Sequence, residues 1–232
     1  MIRKAFPLLA ALLFASAAAA ASAQTTPPPN AIKRQLDKID VSFQGAGIFN
    51  QSASGTVVSG LSAPDQGESM SVLPSDTFGL VMSINYPMKP YFGVQFNYGY
   101  GRYNDHFHGP AVYNFLPAGS NDFPVQSDVN EYTLGYLVEV PYTIDGIQPI
   151  FSAGFGPMAF KPTALGGEEM QEKARMTYFY SIGLRKAVNH HFGLMLGFRE
   201  LFFLAPDYGQ NYLTILQHTT TLEPTAGFYF RY

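Results

Sequence analysis

Chemistry at a protein surface usually needs histidine, cysteine, serine or carboxylates held together, and this 232-residue chain has 5 histidines and no cysteine. The densest cluster is Asp105-His106-Phe107-His108. His106 and His108, at i and i+2, share one face if that segment is extended, and could then share a metal ion. No third ligand stands nearby in sequence, so a solvated loop is the better reading and no metal centre is assigned. Hydrolysis or acyl transfer would need a histidine with a serine and an Asp or Glu. His106 or His218 can be drawn beside Asp105 or Asp207 on paper, but no motif places a serine with them. His190-His191 needs to be no more than a turn. The chain therefore presents no catalytic residue and no cofactor site.

A second group is ionic. Glu131, Glu139, Arg175, Arg185, Arg199, Glu223 and Arg231 sit at alternate-residue positions within apolar stretches. Charges so placed share a face with Gly, Ser, Thr, Asn and Gln, and the opposite face is Phe, Tyr, Leu, Ile and Val. What they can do depends on which face points where, and that depends on the elements that carry them.

Those elements are strands. From Ile39 onward the hydrophobic period is two. Eight alternating stretches result: Asp40–Asn50, Thr77–Tyr86, Tyr91–Arg102, Asn130–Val140, Gln148–Phe160, Arg175–Lys186, Phe192–Phe203 and Thr221–Tyr232. Connections are alternately long (51–76, 103–129, 161–174, 204–220) and short (87–90, 141–147, 187–191). That asymmetry suits a membrane barrel with long loops outside and short turns inside, and each stretch is near the ~9–11 residues that cross a bilayer when tilted. A soluble barrel with the same period would carry a charged outer face. Here only 13% of residues are charged while 15% are aromatic, so the aromatic face is assigned to lipid and the small polar face to the lumen. The fold class expected is all-β: an eight-stranded antiparallel transmembrane β-barrel, an up-and-down meander.

Three segments make up the chain. Residues 1–23 read as a secretory signal peptide: Arg3 and Lys4, the apolar run Ala5–Ala15, and the A-x-A site Ala21-Ser22-Ala23. Residues 24–38, with Pro27-Pro28-Pro29, read as a stiff periplasmic spacer. Residues 39–232 are the barrel. Cleavage removes two cations and takes the formal charge from −3 to −5, and nothing in that balance calls for nucleic acid.

The last stretch, Thr225–Tyr232 ("TAGFYFRY"), puts Phe228, Phe230 and Tyr232 toward lipid and Gly227, Tyr229 and Arg231 inward, and it must pair with the first strand to close the barrel. With this pattern the chain resembles the small outer-membrane barrels of Gram-negative bacteria: the OmpA transmembrane domain, OmpX and opacity-type proteins. The resemblance implies a place in the cell outer membrane with both termini in the periplasm. It implies that Phe228, Phe230 and Tyr232 are the assembly signal read by the barrel-assembly machinery. It also implies contact with outer-membrane lipid and lipopolysaccharide. The departure from full-length OmpA is that this sequence stops at the eighth strand, so the peptidoglycan-binding domain that follows that barrel is not expected here.

Direction along the strands then sorts the inward charges. Glu139, Arg185 and Arg231 fall toward the periplasmic end; Glu131, Arg175, Arg199 and Glu223 fall toward the outer end. If Phe203 stands opposite Thr219, Arg199 stands opposite Glu223. Buried charges must pair, so the expectation is a salt-bridged plug, because eight strands leave room only for side chains. Glu200, by strict alternation, faces lipid; it lies either at headgroup level or beside a bulge near Leu201. The long loops carry Tyr103, Phe107, Tyr113, Phe115 and Phe123, then Tyr208, Tyr212 and Ile215. These aromatics either bind an extracellular ligand or pack as a cap over the barrel mouth. The function expected is a structural or interaction protein whose barrel anchors four loops. A lipid A-modifying enzyme and a narrow ion pore are the alternatives.

Overall fold

The computed structural model describes residues 38–57, 67–109, 122–166 and 169–231. The signal peptide and the spacer up to Asp37 lie outside the described residues, as do Tyr113, Phe115 and Tyr232. Among these residues ten strands follow one another: β1 (Asp40–Asn50), β2 (Ala53–Thr56), β3 (Ser69–Pro74), β4 (Thr77–Lys89), β5 (Phe92–His108), β6 (Phe123–Glu139), β7 (Ile147–Pro162), β8 (Lys173–Ala187), β9 (Phe192–Leu204) and β10 (His218–Arg231). The hairpin β2–β3 sits in the first long connection and pairs onto the upper part of β5. The other eight strands are antiparallel neighbours in meander order, closed where β1 meets β10. Closure gives every strand two partners, so no backbone edge faces the surroundings along the wall.

Period-two alternation decides the two faces. Outward apolar side chains are bare: Phe78 is 86% exposed and Tyr136 71%, whereas inward Ser42 and Thr221 are at 0%. A soluble protein could not leave that many neighbouring rings uncovered; a bilayer is the solvent that suits them. On β5 the outward row runs Phe92, Val94, Phe96, Tyr98, Tyr100 and then turns polar at Arg102, Asn104, His106 and His108. The apolar belt therefore ends at Tyr100, and the barrel wall continues beyond it.

The loop end differs most from the sequence expectation. Residues 103–129 are not one long connection: β5 runs on to His108 and β6 starts at Phe123, paired through Phe107↔Phe123. Tyr103 and Phe107 point inward and are buried. They join Val72, Val125, Phe160, Phe203, Tyr208, Leu213 and Ile215 in an apolar core that fills the barrel above the belt. Of the two readings of the loop aromatics, Tyr103, Phe107, Tyr208 and Ile215 take the cap. The connection after β9 supplies it, folding back through a short 3-10 turn, Asn211–Leu213, so that Leu213 and Ile215 enter the core.

Glu200 keeps strict alternation. Pairing is continuous on both sides, Glu200↔Leu222 and Glu200↔Tyr180, so no bulge is present there. It lies eight residues above Phe192, a climb of roughly 19 Å along a tilted strand, near the rim of an apolar band ~25 Å tall.

Candidate functional site

Three polar layers occupy the lumen, each built from residues far apart in sequence. At the turn end, Arg185 of β8 donates to Asp40 of β1 (3.0 Å) and to Glu139 of β6 (3.2 Å). Asn85 of β4 donates to the other oxygen of Asp40 at 2.5 Å. The Arg185 guanidinium lies 5.2 Å from the ring centre of Tyr229. That ring lies against the backbone at Gly193, where an added Cβ would run into it unless the ring shifted. Arg231 is only loosely joined, 3.7 Å from Asp40 with 47% of its side chain exposed.

Higher up, Arg199 of β9 bridges Glu131 of β6 (2.5 Å) and Glu223 of β10 (3.0 Å). The register that aligns them is Thr219↔Phe203 and Glu223↔Arg199. Thr133 donates to Glu131 at 2.8 Å, and Asn97 donates to Thr133. Phe179 lies beneath the Arg199 guanidinium, 5.5 Å to its centre. All three charged residues are buried. The cavity beside Glu131 and Glu223, walled by Ile48, Tyr103 and Met158, has room for about one water molecule.

The third layer is at the mouth, above the belt. Tyr208, held at φ 50°, turns its hydroxyl into the barrel, where it donates to Asp105 and lies 3.0 Å from Ser127. Burial pushes the Asp105 carboxyl up to about 7, against the pull of the Tyr208 hydrogen bond and of nearby His106. Burial also raises the Tyr208 phenol well above its ordinary value. Beside it Asp207 receives Arg175 (2.7 Å), Lys173 (3.8 Å) and the Thr214 hydroxyl (3.2 Å). Arg175 thus belongs to the mouth, tied to the connection after β9, and not to the Arg199 layer.

Of the charges singled out in the sequence, the fold brings Glu139 with Arg185, and Glu131 and Glu223 with Arg199. It sets Arg175 apart and leaves Arg231 at the rim. Sequence reading did not single out Asp40 or Asn85; it named Asp105 and Asp207 only as possible histidine partners and Tyr208 only as a loop aromatic. For Asp40 the signal was available: it has the same parity as Ser42 and Gln44. For the contacts of Asp207 and Tyr208 there was none, because no periodicity governs a connection. Phe228 and Phe230 face outward and stack with Phe192 (6.0 and 5.4 Å between ring centres).

The catalytic pairings drawn on paper are not assembled. His106 faces out from the wall while Asp105 faces in. His218 lies outward at the top of β10, opposite Leu204. Among the described residues no helix is long and apolar enough to cross a membrane, which leaves strand crossing untouched.

The family model described as an outer membrane protein beta-barrel domain matches residues 8–215. Among solved structures the chain is similar to the outer membrane protein OprG from Pseudomonas aeruginosa, at 9% identity over 84% of this chain and 95% of that one, with a TM-score of 0.57. It also aligns with Neisserial surface protein A, NspA (11% identity, 84% and 97% covered, TM-score 0.49), and with the N-terminal beta-barrel domain of Pseudomonas aeruginosa OprF (13%, 82% and 97%, TM-score 0.42). At such identities the likeness to OprG is one of fold alone, and the other two carry no argument. No curated protein matches the chain by sequence.

Proposed function

The chain belongs to the outer-membrane β-barrel protein family, and from that premise we propose that it is a non-catalytic anchor, a barrel with a filled lumen that holds a folded cap at the cell surface for contact with a partner there. One observation carries this reading: the lumen is filled at every level, by the Arg185 layer, the Arg199 layer and the apolar mouth. A pore needs a continuous wet path, and a buried ion pair across the lumen resists one, since separating it leaves unpaired charges. A lipid-modifying enzyme needs an assembled histidine, and among the described residues His106 faces the outer wall, paired with Asp122. In this orientation the short turns lie in the periplasm, the cap lies outside, and the outward rows of β1 and β4–β10 meet lipid and the acyl chains of lipopolysaccharide. The interacting surface is then the rim around the β2–β3 hairpin and the connection after β9.

Single-channel recording on the refolded protein should show no steps of conductance; steady openings would overturn the filled-lumen reading. Lipid A from a deletion strain should be unchanged by mass spectrometry, and a missing acyl chain would replace the anchor with an enzyme. Photo-cross-linkers placed at Leu165 and Leu216, both bare at the loop end, should capture a surface partner on intact cells, whereas the same probe at Ile144, in a turn, should not.

A further inference from the structure

We infer that Glu200, with the rings beside it, forms a site on the lipid-facing wall for the ammonium headgroup of an amine-bearing lipid. Unbroken pairing, Glu200↔Leu222 and Glu200↔Tyr180, holds this residue on the outward row of β9. Everything else on that row is apolar: Phe192, Leu194, Leu196 and Phe198 lie below it, and Phe202 and Leu204 lie above. Arg199, its neighbour in sequence, faces the lumen and is taken by Glu131 and Glu223. On the two flanking strands the nearest outward basic groups are Lys186 and His218, which stand opposite Leu194 and Leu204. Those positions are six and four residues from Glu200 along β9, roughly 20 and 13 Å at the rise of a strand. Among the described residues no hydrogen bond or ion pair holds the Glu200 carboxylate.

A charge set among lipid-facing apolar residues, with no protein group to meet it, marks a place for a ligand of opposite sign. Its surroundings specify that ligand. Tyr180 and Leu222 stand directly across from Glu200 on the neighbouring strands, about 5 Å away between Cβ atoms. The Tyr180 ring leans on Phe202, the next outward residue above, with 5.8 Å between ring centres. Tyr178, opposite Phe202, is exposed. Aromatic faces beside a carboxylate attract an ammonium group a second time, through the ring quadrupole. Leu194, Leu196 and Phe198 are exposed below, so an acyl chain can lie along the wall beneath the same headgroup. A soluble cation gains nothing from that apolar run, whereas a lipid uses both parts. The carboxylate also lies near the rim of the belt, at the depth of lipid headgroups. In the orientation proposed above that lipid belongs to the outer leaflet. The inference rests on the outward rows meeting lipid and is independent of what the cap contacts.

Zero-length cross-linking tests this. The mature chain is refolded in phosphatidylglycerol vesicles doped with phosphatidylethanolamine, and a carbodiimide activates carboxylates so that a bound amine forms an amide. Peptide mapping should place the lipid on Glu200, and the yield should saturate while phosphatidylethanolamine is still a minor component. A yield that climbs in proportion to the amine lipid would report random collision and overturn the site. Glycerophosphoethanolamine, the headgroup without its chains, should not lower the lipid adduct when added in excess; a lowered yield would assign the site to a soluble amine instead. Glu200→Gln should leave no saturable adduct on the other carboxylates, and one that persists would move the site off Glu200. Tyr180→Leu keeps the carboxylate and should raise the half-saturating lipid fraction several-fold; an unchanged value would overturn the role of the rings. Both substitutions are outward, so heat-modifiable gel mobility should stay that of the folded form. A chain that folds in the vesicles yet gives no saturable adduct sinks this site and leaves the anchor standing.

Discussion

Arginine 199 shows what a single residue does inside so narrow a barrel. Its guanidinium neutralises Glu131 and Glu223 from adjacent sides, and there is no bulk water to take over. Arg199→Met should destabilise the barrel by about 3–5 kcal/mol, because two carboxylates then stay buried and unpaired. Adding Glu131→Gln and Glu223→Gln should recover most of that loss. Urea unfolding in lipid vesicles measures both, and equal midpoints for the single and triple variants would show that the pairing is not what matters. Asp105 makes a pH-dependent prediction. Its carboxyl is raised from 3.8 to about 7 by burial at the closed mouth. Between those values the closed mouth holds a proton that an opened mouth releases. Closure therefore weakens as pH climbs through that window and levels off above about 7. Hydrogen exchange of amides 205–217, corrected for intrinsic rates, should show more opening at pH 7.5 than at 4.5. Asp105→Asn should flatten the difference, and an identical slope in the variant would remove Asp105 from the account.

At the scale of elements, the connection between β9 and β10 behaves as part of the core. Tyr208, Leu213 and Ile215 are buried in it; the Gln171 N–H ties the Tyr208 carbonyl to the segment before β8, and the Ala205 N–H closes the base of the connection onto the Gln217 carbonyl (2.9 Å for each hydrogen bond). Tyr208→Ser with Leu213→Ser should release it. We expect a new protease cut within 205–217 while the membrane-embedded strands stay folded, as judged by gel mobility. Cooperative loss of the whole barrel would instead mean that the cap is needed for folding. β10 carries a different demand. Its outward rings at Phe228 and Phe230 stack with Phe192, and Phe228 lies 6.0 Å from Phe43 across the closure. Phe228→Ser with Phe230→Ser should slow insertion into vesicles several-fold and leave the lumen layers intact, a rate read from the appearance of the folded band. An unchanged rate would reduce these rings to passive lipid contacts.

For the whole molecule, the decisive property is that the apolar surface lies outside and the ionic surface inside, with charges concentrated in layers rather than spread over a wall. The purified mature chain should therefore fold to the heat-modifiable form only with detergent or lipid. A folded monomer in plain buffer would invert the assignment of faces. Sealing is likewise distributed: the Arg185 layer, the Arg199 layer and the mouth core each span the lumen. Opening one alone, as in Tyr208→Ser, should not produce conductance, and that outcome separates a plug from a gate.

Alternation alone determined the eight membrane strands, their in-and-out faces, the antiparallel order and the parity of each inward charge, because a strand's side-chain period is two whatever it pairs with. Glycine 193 and Arg185 could be assigned to the lumen on that basis. Tertiary structure decided the rest: that β5 and β6 climb past the membrane, that Tyr103 and Phe107 turn inward above it, that Asp40 joins Arg185, and that Asp122 meets two histidines. These depend on register between distant strands and on where a connection folds back. Neither leaves a mark in local sequence, since the partner that stabilises each residue lies tens of positions away.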